Sequence, residues 1–234
     1  MTIATRRGLI IGAGAAALAG PAAAQGAKRQ TTPTMDIGPY YPVVKPGDQD
    51  RDLTRVQGRN GRAKGQVMLL TGRVLNQAGA PIPGAALEIW QCDANGRYGH
   101  PSEETKYATG QVDPFFQHYA RQTADAEGRY SFLTILPPAY PGGVGPAGVF
   151  MRAPHIHFDV TGKRQRRVTQ MYLPGTDPKL LKQDFVLYDD LHADFVPNFD
   201  LAKEMAPVLG KISDGGPGAE PGAKLCTWDI VLEG

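Results

Sequence analysis

The chain has 234 residues, 41% of them hydrophobic, and its 25 Lys and Arg against 23 Asp and Glu give a formal net charge of +2. This near balance, interrupted only by a short basic run at residues 163–167, argues against a nucleic-acid partner. The 29 Gly and 20 Pro are typical of a chain with many tight turns and long surface loops.

The N-terminus has the pattern of an export signal. Arg6 and Arg7 precede an apolar, Gly- and Ala-rich stretch at residues 9–20, well short of the roughly 20 residues that a membrane span needs. Small residues at 21–25 form a cleavage site of the A-x-A kind. We therefore predict a cleaved twin-arginine signal at residues 1–24 and a periplasmic or secreted protein with no stable membrane anchor. An ordinary secretory signal and an uncleaved anchor are the alternatives. Because the twin-arginine route carries folded proteins, often with a cofactor in place, the pattern motivates a search for a metal site.

The rest of the chain divides into an extended arm and a β-rich domain. Residues 25–65 are polar and proline-rich, whereas residues 66–234 contain short alternating segments separated by Gly and Pro turns. We predict six or seven strands in an antiparallel β-sandwich of the transthyretin type, with long loops carrying the chemistry. The predicted strands cover residues 67–75, 85–91, 129–136, 155–160, 168–173 and 226–232.

Between these strands, two regions are predicted to be irregular. Residues 98–126 show no clear period, and residues 141–148 form a loop rich in Gly and Pro. Residues 189–209 are predicted to be partly helical or mostly loop. Cys92 and Cys226 either form a disulfide, as an exported protein allows, or are small buried residues.

The candidate metal ligands begin with a histidine pair. His155 and His157 flank Ile156 at the start of the apolar run HIHFDV. Residues two apart on a strand share a face, so both imidazoles can converge on one ion while Ile156 points into the core. Imidazole binds iron, copper, zinc and nickel, so the pair leaves the metal open. A surface pair or a hydrogen-bonded core pair has the same spacing, and a ferrous site would need a carboxylate such as Asp159.

Two loops upstream of the histidines each carry a tyrosine at a turn. Tyr98 lies in GRYGH and Tyr140 in PPAYP. Such tyrosines normally serve only in packing, but a hard, highly charged cation favours the phenolate over the phenol. Arg152, three residues before His155, adds a fixed positive charge. These neighbours strengthen the case for a metal site at the histidine pair.

The sequence resembles a known family over most of its length. Short segments match, in family order, those of the intradiol ring-cleavage dioxygenases, and most closely the protocatechuate 3,4-dioxygenase β-subunit type. They extend from about residue 36 to the C-terminus and cover nearly all of the predicted mature chain. The matching segments are GPYYP (38–42), TGRV (71–74), PGAALEIWQ (83–91), DANGRY (93–98), GRYSF (128–132), YP (140–141), RAPHIHF (152–158), TQMY (169–172) and DIVL (229–232).

The resemblance implies a single non-haem Fe(III) per chain, held by two tyrosines and two histidines. By motif, these ligands are Tyr98, Tyr140, His155 and His157. Tyr140 is then the ligand released when substrate binds. Arg152 matches the family's arginine before the histidines, suited to stabilise negative charge on the substrate, and Gln170 matches its glutamine.

The implied reaction is cleavage of a catechol-type ring by O2 between its two hydroxylated carbons. Tyr40 or Tyr41 and Trp90 are candidates to line a flat aromatic pocket, although ordinary packing explains them equally well. Whether the chain acts alone, as a homo-oligomer or with a related partner chain stays open. Two alternatives remain: an exported, non-catalytic transthyretin-like β-sandwich that binds a ligand, and a copper- or zinc-binding protein that uses only His155 and His157.

Overall fold

The structure, a computed structural model, describes six stretches of the chain. They are residues 28–103, 110–145, 148–184, 186–187, 201–215 and 220–233. The predicted signal at residues 1–24 lies outside them, as does most of the predicted helix-or-loop region at residues 189–209. No helix within these stretches is long and apolar enough to span a membrane.

The described residues are rich in strand and poor in helix, as the sequence predicts. The strands are β1 (Val67–Asn76), β2 (Ala86–Trp90), β3 (Tyr119–Thr123), β4 (Arg129–Ile135), β5 (Tyr140–Gly145), β6 (Gly148–Arg152), β7 (His155–Thr161), β8 (Arg166–Tyr172), β9 (Lys211–Asp214), β10 (Lys224–Thr227) and β11 (Ile230–Leu232). The helices are α1 (Pro178–Gln183), α2 (Leu201–Met205) and a 3₁₀ turn, Ala206–Val208. Five predicted strands are present with ends that agree to within about two residues, the usual uncertainty of such boundaries.

Three segments differ from the sequence-based expectation. Residues 98–126, expected to be irregular, contain β3, and the described residues of the expected loop, 141–145 and 148, belong to the paired strands β5 and β6. The expected last strand, residues 226–232, is divided into β10 and β11, with a break at Trp228 and Asp229. Pairing with neighbouring strands decides strand formation here and overrides the weak local preference of Gly and Pro.

One sheet has five strands arranged around β1. β4 pairs antiparallel with β1 on one side, while β10 and then β11 pair with it in parallel on the other, and β9 flanks β10. The expected antiparallel arrangement holds for the pairing of β1 with β4 and of β9 with β10, but the C-terminal strands β10 and β11 pair with β1 in parallel. The break between them lies opposite Gly72, where a Cβ would be only 1.7 Å from the carbonyl oxygen of Trp228.

A second sheet carries the histidine pair. Its four strands are all antiparallel, in the order β3-β2-β7-β8. The register sets His157 opposite Trp90 on one side and opposite Gln170 on the other. On the other face of β7, Ile156 and Phe158 are fully buried in the main core, as the two-residue period of a strand requires.

Apolar residues from both of these sheets form one hydrophobic core. Met68 and Phe132 come from the five-stranded sheet, and Ile89 and Phe158 come from the four-stranded sheet. All four side chains are inaccessible to solvent. Burial of such a side chain stabilises the fold by about 1.5–3 kcal/mol. The strand that bears the histidines is therefore anchored by the core on its opposite face.

The arm at residues 28–65 contains no named helix or strand, but it is hydrogen-bonded to the domain. The backbone N–H of Thr32 donates to the Val231 carbonyl, and that of Met35 donates to the Val168 carbonyl, each at 2.9 Å. Because Val168 lies in β8, the residues that follow Met35 are brought to the sheet that carries the histidine pair.

The two cysteines are free and buried, and they lie in different parts of the molecule. Cys226 packs in the main core, whereas Cys92 packs in an aromatic cluster around Trp90 and Tyr98. The disulfide alternative is therefore excluded. Burial raises the pKa of both thiols, so neither has the thiolate character of a reactive cysteine.

Candidate metal centre

β7 brings His155 and His157 together, as the alternation of its residues predicts. Both imidazoles lie on the face opposite Ile156, and both are almost inaccessible to solvent. Their Nε2 atoms are 3.2 Å apart. Burial excludes a surface pair, and the two nitrogens point into one small volume.

Two segments deliver a tyrosine each to the same volume. Tyr98 Oη lies 3.5 Å and Tyr140 Oη lies 3.4 Å from His155 Nε2, and both tyrosines are buried. Tyr98 follows the turn at residues 93–96, and Tyr140 begins β5. The close approach of the two segments depends on Gly96, where φ is +73° and a Cβ would lie 2.8 Å from the Tyr140 Cβ.

The donor atoms have the spacing of ligands around one metal ion. For bonds of about 2.0–2.1 Å, as between imidazole and zinc, ligand atoms that subtend about 90–120° at the metal lie about 2.8–3.6 Å apart. The distances to His155 Nε2, 3.2, 3.4 and 3.5 Å, fall within that range. The set offers two phenol oxygens and two imidazole nitrogens, which fits a cation that accepts hard oxygen as well as nitrogen ligands.

Carboxylates do not complete an alternative site. Within the part of the chain that the structure describes, no group of three or more His, Cys, Asp or Glu side chains is placed to hold a metal ion. Asp159, the carboxylate on the same strand as the histidines, forms an ion pair with Arg166 at 2.7 Å. A metal site at the histidine pair would therefore draw on the two tyrosines rather than on Asp159.

Hydrogen bonding and packing orient the two imidazoles. His155 Nδ1 lies 2.6 Å from the carbonyl oxygen of Ala153, which can only accept, so Nδ1 carries the proton and Nε2 presents its lone pair. The His157 ring stacks on Trp90 with centroids 4.9 Å apart and planes 9° apart. Its Nδ1 is buried with no hydrogen-bond partner among the described residues. Gly38 makes room for this ring, because a Cβ there would lie 3.1 Å from its Cε1 atom.

Burial and Arg152 set the protonation of the four groups. Burial, followed by the charge of Arg152, holds the pKa of His155 and His157 well below the ordinary value, so both imidazoles are neutral. Burial raises the pKa of Tyr98 and Tyr140 above that of an ordinary phenol, and Arg152 opposes part of this rise. A cation that binds here therefore meets two neutral imidazoles and must displace the phenolic protons.

Arg152, at the end of β6, is buried and held by three side chains. Its Nη2 donates to Gln170 Oε1 at 2.6 Å and to Tyr172 Oη at 3.1 Å. Its Nε forms an ion pair with Asp184 at 2.9 Å. The two residues that the resemblance selects, Arg152 and Gln170, therefore lie in direct contact, and Gln170 orients the guanidinium group.

Tyr40 and His100 lie where the arm meets the site. Tyr40 is half-buried, and its ring packs against that of Tyr98 with centroids 4.7 Å apart. His100 Nε2 lies 3.2 Å from the Tyr41 carbonyl oxygen. The arm therefore covers one of the candidate ligands, and Tyr40 is the predicted pocket residue that retains partial exposure beside Tyr98.

Tyr41 and Trp90 support the site from behind. Trp90 is 1% exposed and packs between His157 and Tyr41, whose ring centroid is 4.9 Å away. The Tyr41 hydroxyl donates to Glu88 at 2.6 Å, and Lys45 binds the same carboxylate oxygen at 2.6 Å. These contacts tie the arm to β2 and hold Trp90 against the imidazole.

Comparison with known proteins identifies the family. A family described as Dioxygenase matches residues 37–234 of the chain. The chain is 43% identical, over 144 residues, to the protocatechuate 3,4-dioxygenase beta chain of Burkholderia cepacia, covering 61% of this chain and 59% of that one. It is 31% identical, over 218 residues, to a hydroxyquinol 1,2-dioxygenase of Rhodococcus opacus, covering 88% and 65%. The chain belongs to the intradiol ring-cleavage dioxygenase family.

Solved structures agree with the fold of this intradiol dioxygenase family member. The dioxygenase domain of a dioxygenase–carbohydrate-binding protein fusion from Streptomyces sp. SirexAA-E matches with a TM-score of 0.56 and 25% identity over 87% of this chain and 99% of that one. Catechol 1,2-dioxygenase from Pseudomonas arvilla C-1 matches in fold, with a TM-score of 0.58 and 22% identity over 87% and 62%. The chain spans 59% and 65% of the lengths of the two curated relatives.

Sequence reasoning missed several residues that support the candidate site. Glu103 accepts the backbone N–H of Tyr98 at 3.0 Å. Tyr172 binds Arg152, and its spacing of two residues from Gln170 on one strand was a signal that could have found it. Asp184 follows a short helix and lies in no matching segment, so no local signal marks it.

Proposed function

We propose that the protein is a non-haem Fe(III) intradiol dioxygenase that binds one iron per chain. It cleaves a catechol-type substrate with O2 between the two hydroxylated carbons. The observation that carries the proposal is the buried convergence of three donor atoms at 3.2, 3.4 and 3.5 Å from His155 Nε2. Two of the four donors are phenol oxygens, which suit a hard ferric ion.

Four side chains would hold the iron. They are Tyr98, Tyr140, His155 and His157. His155 presents Nε2 because Ala153 holds its other nitrogen, and His157 is held by stacking on Trp90. An iron held by these residues would supply Lewis acidity to a catecholate substrate.

Tyr140 is suited to take a proton from the substrate. A catechol that binds as a dianion must lose two protons, so the site needs bases. Burial raises the pKa of Tyr140, so its phenolate oxygen would be a strong base toward a catechol hydroxyl. The resemblance assigns this role to Tyr140 rather than to Tyr98, whose backbone N–H is held by Glu103 and whose ring packs against Tyr40.

Arg152 is suited to stabilise negative charge on the substrate. It is a buried cation, and its charge acts on Tyr140, His155 and His157. Gln170 fixes the direction of the guanidinium through a 2.6 Å hydrogen bond. A fixed charge in a water-poor site stabilises developing negative charge without reorganisation during the reaction.

We further propose the finer features that the sequence predicts. The shared core of the two larger sheets supports a sandwich of the transthyretin type. Arg6, Arg7 and the A-x-A site support export, so the substrate and O2 would meet the enzyme in the periplasm or outside the cell. One relative is named as a beta chain, which supports a related partner chain; a homo-oligomer is the alternative.

Product analysis with iron-loaded protein tests the reaction. The substrate panel contains catechol, protocatechuate and hydroxyquinol, with O2 uptake followed and ¹⁸O₂ as a label. We expect a product with two new carboxylic acid groups that carries both labelled oxygen atoms, since the bond between the hydroxylated carbons breaks. An aldehyde-containing product, or no O2 uptake with any of these catechols by iron-loaded protein, would contradict the proposal.

A further inference from the structure

A fully buried carboxylate, Asp184, lies beside the candidate metal centre. It follows α1, and its backbone N–H donates to the carbonyls of Leu180 and Leu181 in that helix. Its side chain has 0% exposure and also accepts the N–H of Leu187 at 3.2 Å. The end of the helix therefore fixes the position of the carboxylate.

The contacts of Asp184 reach two consecutive residues before the histidine pair. Arg152 Nε donates to Oδ1 at 2.9 Å and to Oδ2 at 3.1 Å. The backbone N–H of Ala153 donates to Oδ2 at 2.8 Å. A carboxylate that only neutralised Arg152 would not require a hydrogen bond from the backbone N–H of Ala153. Asp184 binds the side chain of one residue and the main chain of the other.

Ala153 in turn orients a candidate ligand. Its carbonyl oxygen lies 2.6 Å from His155 Nδ1, and this bond leaves Nε2 of the imidazole for a metal. The three other donor atoms lie 3.2, 3.4 and 3.5 Å from that Nε2. A change in the position of the Ala153 backbone would therefore turn the imidazole at the centre of the ligand set.

We propose that Asp184 is a positioning residue that sets both the His155 imidazole and the Arg152 guanidinium. It acts on the histidine through the Ala153 backbone and on the arginine through a direct ion pair. One carboxylate thus couples the geometry of the metal ligand to that of the cation that faces the substrate. The inference rests on the proposed ferric function, and it adds a residue that no motif marks.

Asp184→Asn tests this role, with Asp177→Asn as the matched control. Asparagine keeps the size of the side chain but removes its charge and replaces one acceptor oxygen with an NH2 donor. In either orientation that NH2 group meets donors, either the Ala153 N–H or the Leu187 N–H, and Arg152 loses the charge of its partner. Asp177 caps the other end of α1 and is exposed, and its side chain accepts only the Lys179 N–H among the bonds that the structure gives it. Asparagine is an equally good cap there.

The readouts are iron affinity by competition with a chelator, the visible spectrum of the ferric protein, and turnover. We expect folded Asp184→Asn protein to bind iron about 10–100-fold more weakly, as for other partners of metal ligands, with a shifted band and lower kcat. Asp177→Asn should match the wild type. Wild-type affinity and spectrum in folded Asp184→Asn would overturn the proposal and leave Asp184 as a helix anchor.

If Asp184→Asn does not fold, the variant Asp184→Glu tests the positioning role instead. Glutamate keeps the charge that Arg152 needs, but the added methylene moves the carboxylate away from the Ala153 N–H. We expect it to fold and to bind iron about tenfold more weakly than the wild type; equal affinity and an unchanged band would overturn the proposal. A wild-type protein that binds no ferric iron would instead refute the proposed function itself.

Discussion

Replacement of Gly96 by alanine tests how closely the two tyrosine segments must approach. Gly96 has φ of +73°, and a Cβ there would lie 2.8 Å from the Cβ of Tyr140. An alanine must therefore adopt a left-handed backbone and also push against a candidate ligand. Gly84 offers a matched control, because its φ is also +73° but a Cβ there would meet nothing within 4 Å.

The expected magnitudes follow from these two costs. A left-handed conformation costs an alanine about 1–2 kcal/mol, and forcing an extra methyl into a packed site costs about 1–3 kcal/mol. Gly96→Ala should then lower the free energy of unfolding by about 2–5 kcal/mol and Gly84→Ala by about 1–2 kcal/mol. For a domain of this size, each kcal/mol lowers Tm by about 2–4 °C.

The assay is thermal unfolding of the metal-free proteins, followed by iron content and the visible spectrum after loading. We expect Gly96→Ala to be the less stable variant and to hold less iron or show a shifted band, because Tyr140 is displaced. Gly84→Ala should load normally. Equal stability of the two variants, with equal iron content and identical spectra, would refute the idea that Gly96 permits the approach of the tyrosines.

The remaining predictions concern a ligand, the leaving tyrosine and the export signal. His157→Ala should lose most of the iron and all activity, because one of four proposed protein ligands is gone, whereas His100→Ala should keep both iron and activity. Iron analysis and O2 uptake check this. An active, iron-replete His157→Ala protein would count against the site. Tyr140→Phe should shift the visible band yet retain slight activity, since the proposed function makes Tyr140 the ligand that leaves when substrate binds. Full turnover with an unchanged spectrum would argue against ligation. Replacement of Arg6 and Arg7 by lysine should leave precursor in the cytoplasm, which cell fractionation measures. Normal export of that variant would exclude the twin-arginine route.

The histidine pair was predictable because a strand has a local period. Ile156 and Phe158 alternate with the histidines, so the sequence of β7 alone places both imidazoles on one face. Tyr98 and Tyr140 lie in segments without a period, and only the resemblance to a family selected them. Their convergence on His155 depends on contacts between distant segments, which local patterns do not encode.

The features that sequence reasoning missed are likewise those set by distant contacts. The hairpin of β5 and β6 forms where Gly142 and Gly143 weaken any strand signal, because each strand pairs with the other. The C-terminal strands lie parallel to β1. This direction was not predictable, because the apolar pattern of a strand does not specify the direction of its partner. Asp184 reaches Ala153 across 31 positions of sequence from the end of a six-residue helix.

The visible absorption spectrum of the purified wild-type protein, measured beside that of Tyr98→Phe at equal iron content, tests the ferric–tyrosinate site most directly. Phenolate ligands allow light to move electron density from oxygen to Fe(III), so the wild type should be reddish before any substrate is added. Tyr98→Phe keeps the ring that packs against Tyr40 but removes the oxygen, so its band should bleach or shift. Catechol added without O2 should move the wild-type absorption to longer wavelength. A colourless wild-type protein with stoichiometric iron would contradict tyrosinate ligation and the intradiol chemistry proposed from it.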